Sequence, residues 1–271
     1  MRHIIDFSDI TLDEWRTLYK RVQDILDNPI RYRDAAVGRI MASLFYEPST
    51  RTRFSFHAAM QRLGGSVIGF ADPASTSSAK GESLKDTIIM CSGYSDVVVV
   101  RHPCEGAAAA SAMYARVPLV NAGDGGHYHP TQTLTDLTAI QRLRGDLCGL
   151  RVGICGDLKN GRTVHSLIRA LARFEGISFY LISPRALAIP PYLRALLNEA
   201  KVPYWEVSGL DPIISQLDVL YMTRIQRERF DNPEEYERYR GIYILNKRRL
   251  AAAGRDLLIL HPLPQIGRAH V

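Results

Sequence analysis

Four consecutive valines at residues 97–100 are the feature that most limits the folds open to this chain. β-Branched residues favour strands, and a strand without a polar position is buried on both faces. Such strands lie in the middle of parallel sheets, whose crossover helices cover each face. The valines therefore predict an α/β protein built on a parallel sheet.

The rest of the chain alternates short apolar runs with helical segments, which is the pattern of a parallel sheet with crossover helices. Further strands are predicted at residues 40–45, 67–70, 119–121, 151–155, 179–182, 218–222 and 257–260. Helices are predicted at residues 11–28, 49–64, about 82–94, about 106–114, 131–144, 163–174 and 191–200. Thr11 and Glu14 have the spacing of a capping box at the start of the first helix, and Glu82 suits the first turn of the third. The predicted fold class is α/β, with two domains that each have a mostly parallel sheet and helices on both faces.

The turn-like glycines of residues 145–149 divide this pattern into two series. Residues 1–133 are predicted to form a first domain, residues 134–149 an interdomain helix and link, and residues 150–265 a second domain. Ligands of open α/β sheets bind outside the carboxyl ends of the strands. We therefore expect functional residues directly after the predicted strands.

The composition and charge exclude several classes of protein. No apolar run is long enough to span a membrane, and the first residues do not resemble a signal peptide, so we expect a cytoplasmic protein without a membrane partner. None of the four cysteines forms a C-x-x-C pair, which predicts reduced thiols without a zinc signature. The net charge is +6, but the arginines lie singly within motifs, so the charge indicates small anionic substrates rather than nucleic acid.

Residues 49–53, with the sequence Ser-Thr-Arg-Thr-Arg, follow one predicted strand and begin a helix. A helix N-terminus offers N–H groups and the positive end of the helix dipole, and arginine gives a planar, bidentate match to phosphate. The run therefore predicts a phosphate site. An ordinary serine or threonine helix cap with surface arginines is the alternative.

Four further candidate residues lie in the first half of the chain. Arg101 directly follows the valine strand, where a buried cation requires a partner, and this makes it a candidate anion ligand. His129 and Gln132 flank a helix start at Pro130 and are placed to polarise a carbonyl and to hold an amide, although His129 could also be a capping residue. Lys80 is a weaker candidate because a loop lysine is usually solvated.

Three motifs in the second half also follow predicted strands. Residues 153–163 form a glycine-rich loop that nearly matches the P-loop pattern, with Arg162 in the position of its lysine. Residues 222–229 include Arg224, Gln226 and Arg229, and a charged surface turn is the alternative there. Residues 261–264 are His-Pro-Leu-Pro, whose two prolines are predicted to present backbone carbonyls rigidly, and a plain loop is the alternative.

Taken in order, these motifs resemble the catalytic chains of aspartate carbamoyltransferases, within the aspartate/ornithine carbamoyltransferase superfamily, over nearly the whole chain. The resemblance implies transfer of the carbamoyl group of carbamoyl phosphate to L-aspartate, a step of pyrimidine biosynthesis, without a metal or organic cofactor. It also implies a homotrimer with shared active sites, and it leaves open regulatory chains or a dihydroorotase as partners.

The resemblance implies a role for each motif residue. The catalytic residues are Arg51, Thr52, Lys80, Arg101 and His129. Carbamoyl phosphate is bound by Ser49, Thr50, Arg51, Thr52, Ser77 (or Thr76), Arg101, His129, Gln132, Leu263 and Pro264, with the backbone at Pro262. Aspartate is bound by Lys80, Arg162, Arg224 and Gln226, while Glu47 and Arg229, together with Arg162, link the domains on closure. Ser77 and Lys80 reach into a neighbouring subunit's site.

Ornithine carbamoyltransferase is the nearest alternative, since it shares a Ser-Thr-Arg-Thr phosphate loop. Lys80, Arg162 and Pro262, where the ornithine enzymes carry cysteine, favour aspartate. Two cations at positions 162 and 224 suit a dicarboxylate and repel the ammonium group of ornithine. More distant alternatives are a P-loop nucleotide-binding protein, a basic nucleic-acid-binding protein and a silent structural homologue.

The resemblance stops after the His-Pro-Leu-Pro motif. The family continues with a closing helix, whereas this chain continues with Gln265 and residues 266–271, which match no part of the family. The codons ATC-GGA-AGA-GCA-CAC-GTC of a common sequencing adapter encode the sequence of residues 266–271. We therefore expect a truncated chain with a non-native tail at residues 266–271.

Overall fold

The computed structural model describes residues 1–225, 230 and 232–263. The chain divides into two compact units, Met1–Thr131 and Gln132–Val271. The first unit contains α1 Leu12–Asp27, β1 Ile40–Phe45, α2 Thr50–Arg62, β2 Ser66–Phe70, α3 Leu84–Tyr94, β3 Val97–His102, α4 Ala107–Ala112 and β4 Leu119–Asp124. Helix α5, Pro130–Arg144, begins at the end of this unit.

The second unit contains a further nine strands and α-helices among the described residues. They are β5 Arg151–Cys155, α6 Arg162–Leu171, β6 Ser178–Ile182, α7 Pro191–Glu199, β7 Tyr204–Val207, β8 Val219–Met222, α8 Pro233–Tyr239, α9 Lys247–Ala251 and the short strand β9 Leu258–Leu260. Strand β7 and helix α8 were not predicted from the sequence.

Each unit is built on its own parallel sheet. The strand order is β2-β1-β3-β4 in the first sheet and β7-β6-β5-β8-β9 in the second. Every strand pairing in both sheets is parallel. The predicted fold class, α/β with two parallel-sheet domains, is confirmed.

The valines of β3 are buried because helices cover both faces of the first sheet. Val98 and Val100 pack with Ile88 of α3 on one face. Val99 packs with Met60 of α2 on the other face. Strand β3 lies between β1 and β4, so the prediction of a central parallel strand is confirmed.

Several predicted boundaries are confirmed and a few are wrong. Thr11 and Glu14 form the predicted capping box of α1. Glu82 was expected in the first turn of α3, but the helix is capped by Ser83, and Glu82 instead accepts a hydrogen bond from the Thr87 hydroxyl. Strand β4 continues to Asp124, beyond the predicted end at residue 121, because the polar residues 121–124 form strand rather than turn.

The described residues contain no helix with the length and apolar character that crossing a membrane requires. All four cysteines are free, with Cys91 and Cys155 buried and Cys104 and Cys148 exposed.

Candidate active site

Two of the predicted motifs follow neighbouring strands of the first sheet. Strands β1 and β3 are adjacent, Phe45 is opposite Arg101, and the Tyr46 N–H donates to the Arg101 carbonyl at 2.8 Å. The chain leaves β1 towards β2 on one side and leaves β3 towards β4 on the other. This is a topological switch point, where open α/β sheets bind their ligands.

Helix α2 begins just beyond β1 with the predicted phosphate motif. Ser49 is its N-cap residue, but the Ser49 side chain makes no capping hydrogen bond. Ser49 therefore holds the N-cap position without the side-chain hydrogen bond of an ordinary serine cap. Thr50 and Arg51 are exposed, and Thr52 and Arg53 are half-buried. The first turn thus presents hydroxyl and guanidinium groups together with the positive end of a 13-residue helix.

Arg101 is buried, with 7% of its surface exposed, at the carboxyl end of β3. Its guanidinium forms an ion pair with Glu47 at 2.5 Å and donates to the Ala122 carbonyl at 3.1 Å. A buried cation needs such partners to offset the loss of hydration. Glu47 was predicted only as a domain-closure residue, and its contact with Arg101 was missed.

His129 is held just before α5 by a network at the end of β4. The Asp124 carboxylate, 1% exposed, accepts hydrogen bonds from Asn121 Nδ2 at 3.1 Å, from Tyr128 N at 3.0 Å and from Gly106 N at 3.0 Å. These bonds fix the loop that leads to His129, which is also buried. Asn121 and Asp124 were missed as positioning residues, although their Asn-x-x-Asp pattern after a strand was a visible signal.

The second sheet has a switch point of its own between β5 and β8. The Thr223 N–H donates to the Cys155 carbonyl at 2.8 Å, and the Thr223 hydroxyl accepts from Asp157 N at 3.1 Å. Arg162 is the first residue of α6 after β5, and Arg224 lies two residues beyond β8. The structure therefore places the two predicted aspartate-binding arginines after adjacent parallel strands.

The glycine-rich loop after β5 is closed by its own carboxylate. Asp157 is fully buried and accepts hydrogen bonds from the backbone N–H and the side chain of Asn160 at 3.0–3.2 Å. A P-loop instead directs such N–H groups at phosphate oxygens. A carboxylate in the middle of the loop repels a phosphate, so the structure does not support the P-loop alternative.

The last two motifs meet after β8 and β9. Burial and the nearby Arg224 guanidinium lower the pKa of His261. The Leu263 N–H donates to His261 Nδ1 at 2.9 Å, and Leu263 has a left-handed φ of +59°. This conformation is uncommon for a residue with a branched side chain. The His261 ring thus shapes the backbone that was predicted to present its carbonyls.

Gln132 belongs to a buried polar cluster in the second unit. Its Nε2 donates to Asp136 Oδ1 at 2.9 Å, and the Tyr221 hydroxyl donates to Asp136 Oδ2 at 2.9 Å. Burial raises the pKa of Asp136 to about 7, and the two hydrogen bonds oppose that rise. Asp136 and Tyr221 were missed, although Asp136 lies four residues after Gln132 on one face of α5.

Some predicted site residues are not joined to these clusters. Ser77 and Lys80 lie on an exposed 3-10 turn, Ser77–Lys80, for which Thr76 is the N-cap residue. The side chains of Ser77 and Lys80 are exposed there and are not part of the Arg101–Glu47 pair. Gln226, Arg229, Pro264 and the predicted tail at 266–271 lie outside the described residues.

Fold and site together define a two-domain α/β protein that places cationic and hydroxyl groups at the switch point of each sheet. Residues 2–142 match the family of aspartate/ornithine carbamoyltransferase carbamoyl-P binding domains. Residues 148–269 match the aspartate/ornithine carbamoyltransferase Asp/Orn binding domains. The chain belongs to the aspartate/ornithine carbamoyltransferase family.

Individual relatives agree with this assignment. The chain is 51% identical to the aspartate carbamoyltransferase catalytic subunit of Clostridium novyi (strain NT) over 98% of its own length and 87% of the relative. It superposes on the catalytic subunit of M. jannaschii aspartate transcarbamoylase with a TM-score of 0.89 and 45% identity, covering 98% and 87% of the two chains. The Trypanosoma cruzi aspartate transcarbamoylase in complex with N-(phosphonacetyl)-L-aspartic acid gives a TM-score of 0.88 and 36% identity over 97% and 84%.

Proposed function

We propose that this chain transfers the carbamoyl group of carbamoyl phosphate to the amino group of L-aspartate, giving N-carbamoyl-L-aspartate and phosphate. The observation that carries the proposal is the position of Arg162 and Arg224 after adjacent parallel strands at one switch point. Two fixed guanidinium groups suit a dicarboxylate. The family and the reaction named for the relatives support the same function.

In this reaction the first unit binds carbamoyl phosphate. Ser49, Thr50, Arg51 and Thr52 bind the phosphate at the N-terminus of α2. Arg101 binds both the phosphate and the carbonyl oxygen, and His129 polarises the carbonyl. Because Arg101 and His129 are buried, their interaction with a developing oxyanion is weakly screened, which is the arrangement that stabilises a transition state.

The second unit binds aspartate through Arg162, Arg224 and Gln226. The aspartate amine attacks the carbamoyl carbon, and the carbon–oxygen bond to phosphate breaks as the new carbon–nitrogen bond is made. The electron pair leaves with the phosphate, which takes the amine proton. Catalysis rests on positioning and on charge stabilisation, with no covalent nucleophile.

Two roles complete the proposed site. Gln132 and the backbone of Pro262, Leu263 and Pro264 hold the carbamoyl amine. The His261–Leu263 hydrogen bond supports this role, because it fixes the backbone there. Glu47, Arg162 and Arg229 link the two domains on closure.

We further propose a homotrimer in which Ser77 and Lys80 complete the site of a neighbouring subunit. The exposed position of the Ser77–Lys80 turn supports this arrangement. Mixing a Lys80→Met variant with a His129→Ala variant tests it, because a shared site restores part of the activity that each variant lacks alone. If the mixture stays as inactive as its components, each chain uses its own Lys80.

The decisive experiment offers carbamoyl phosphate with aspartate and, separately, with ornithine. We expect carbamoyl-aspartate and no citrulline, because two arginines repel the ornithine ammonium group. Citrulline alone would assign the chain to the ornithine branch of the family. The exposed Arg255 lies in the second unit but outside the proposed site, so Arg255→Met is the control for the arginine variants.

A further inference from the structure

The buried carboxylate of Asp136 faces the amide of Gln132. Asp136 is 6% exposed, and its two oxygens accept one hydrogen bond each, from Gln132 Nε2 and from the Tyr221 hydroxyl. Within residues 1–225, 230 and 232–263, Asp136 has no ion pair. The two groups that donate to it, the Gln132 amide and the Tyr221 hydroxyl, are both neutral.

The chemistry of these groups fixes the orientation of the Gln132 amide. An ionised carboxylate only accepts hydrogen bonds, whereas a glutamine amide has a donating face and an accepting face. While Asp136 is ionised, the NH₂ group of Gln132 must therefore face it, and the Gln132 carbonyl oxygen must be turned away. Without Asp136, the two amide orientations would be close in energy.

Tyr221 holds the carboxylate itself in place. Its side chain is fully buried in β8, and its hydroxyl binds Asp136 Oδ2, which leaves Oδ1 for Gln132. Burial raises the pKa of Tyr221 well above its ordinary value, so the hydroxyl remains a donor at every working pH. Strand β8 ends at Met222, two residues before Arg224. The same strand thus supports both Asp136 and a proposed aspartate ligand.

We propose that Asp136 is a positioning residue that turns the Gln132 carbonyl towards the amine of bound carbamoyl phosphate, so that the site selects an amine over a methyl group. The inference rests on the proposed function, because it needs Gln132 to contact the carbamoyl amine. A carbonyl in this orientation accepts an N–H from the substrate. A methyl group in the same place leaves that carbonyl unsatisfied, which is a strong basis for discrimination.

Binding of carbamoyl phosphate and of acetyl phosphate, which carries a methyl group in place of the amine, tests the proposal directly. Both affinities are measured by calorimetry at pH 8, where Asp136 is ionised. We expect the wild-type chain to prefer carbamoyl phosphate. In Asp136→Asn, which accepts and donates on the face towards Gln132, we expect that preference to fall about tenfold while acetyl phosphate affinity changes less than about twofold.

Two further variants keep the test independent of folding. Asp136→Leu combined with Tyr221→Phe removes the carboxylate together with the hydroxyl that binds it, so the Tyr221 hydroxyl is not left without its acceptor, and this double variant should lose the preference as well. Asp218→Asn, at the other end of the β8 strand, changes a carboxylate that pairs with Arg151 and should keep the wild-type preference. The ratio of two affinities reports only on folded molecules, so partial unfolding does not mimic the effect.

The outcomes separate the inference from the proposed function. If both Asp136 variants keep the wild-type ratio, Asp136 does not position Gln132 and the inference is wrong. If the wild-type chain binds neither compound, the proposed carbamoyl phosphate site is wrong, and that result appears before any variant is made. A loss of preference in the Asp136 variants alone, with Asp218→Asn unchanged, supports both.

Discussion

The two switch points place their arginines in different surroundings. In the first unit Arg101 is almost fully buried and paired with Glu47. In the second unit Arg162 and Arg224 are half-buried, and the acidic residue of the loop, Asp157, binds Asn160 instead of an arginine. A buried cation has lost its hydration before any ligand binds, whereas a half-buried one keeps part of its hydration until the ligand replaces it.

This difference in burial indicates that the arginines of the two units act on different kinetic parameters. A preorganised, desolvated guanidinium stabilises charge that develops in the transition state. Half-buried arginines bind a carboxylate in the ground state as well as in the transition state, and such binding acts on KM. We therefore expect substitutions at Arg101 of the first unit to lower kcat, and substitutions at Arg162 or Arg224 of the second unit to raise the KM for aspartate.

The largest effect is expected for Arg101→Met. The variant removes the buried cation that we propose binds the carbonyl oxygen of carbamoyl phosphate, so kcat should fall about 10³-fold. It also leaves the Glu47 carboxylate partly buried without its ion-pair partner, which should lower the unfolding temperature. Steady-state kinetics with both substrates measure the first effect, and Arg62→Met, an exposed arginine of the same unit, is the control. A kcat within tenfold of the wild type would contradict the role of Arg101.

Arg224→Met tests the other side of the division. We expect the KM for aspartate to rise about 100-fold, because one of two charge-assisted contacts with a carboxylate is lost. The kcat and the affinity for carbamoyl phosphate should change little. Aspartate titration at saturating carbamoyl phosphate provides the measurement, with Arg255→Met as the matched control. A fall in kcat without a rise in KM would contradict the expected difference between Arg101 and Arg224.

Substitutions of the two acidic residues, Glu47 and Asp157, should have smaller effects, one on kcat and the other on KM. Glu47→Gln loosens Arg101, so kcat should fall about tenfold. Asp157→Asn weakens the closure of the loop that precedes Arg162, so the KM for aspartate should rise about tenfold with kcat nearly unchanged. Parallel kinetics of the two variants sharpen the comparison. If Glu47→Gln instead raised the KM for aspartate and Asp157→Asn instead lowered kcat, the first unit would determine KM and the second unit kcat.

The sequence predicts the fold well because its strongest signals are local. The valine run, the capping box at Thr11 and the alternation of strands with helices need no tertiary information, and each is confirmed. Strand β7, Tyr204–Val207, was missed, since its outer position and mixed polarity give no strong pattern. The predicted domain limits at 133, 149 and 265 and the roles of the site residues stay predictions.

Only part of the site could be predicted from the sequence, because only some of its contacts are local. Motifs such as residues 49–53 carry their chemistry in adjacent positions. The partners that hold site residues come from distant parts of the chain: Tyr221 meets Asp136 across 85 positions, and Glu47 meets Arg101 through neighbouring strands. No pattern in a single sequence predicts such pairs, because burial and pairing depend on the folded sheet.

The smallest expected effect concerns the stability of the second unit against pH. Burial raises the pKa of Asp136 to about 7 in the folded chain, above the value of about 4 for an exposed aspartate. As pH rises between these values, the unfolded chain loses this proton before the folded chain does, so the folded state becomes relatively less favourable. The contribution of Asp136 to stability should therefore fall by about 1 kcal/mol between pH 6 and 7.5 and level off above that. Denaturant unfolding of the wild type and of Asp136→Asn across this range measures the difference, with Asp218→Asn as the control. Parallel stability curves for the wild type and Asp136→Asn would show that Asp136 is already ionised at pH 6, and Gln132 would then be oriented by a carboxylate over the whole range.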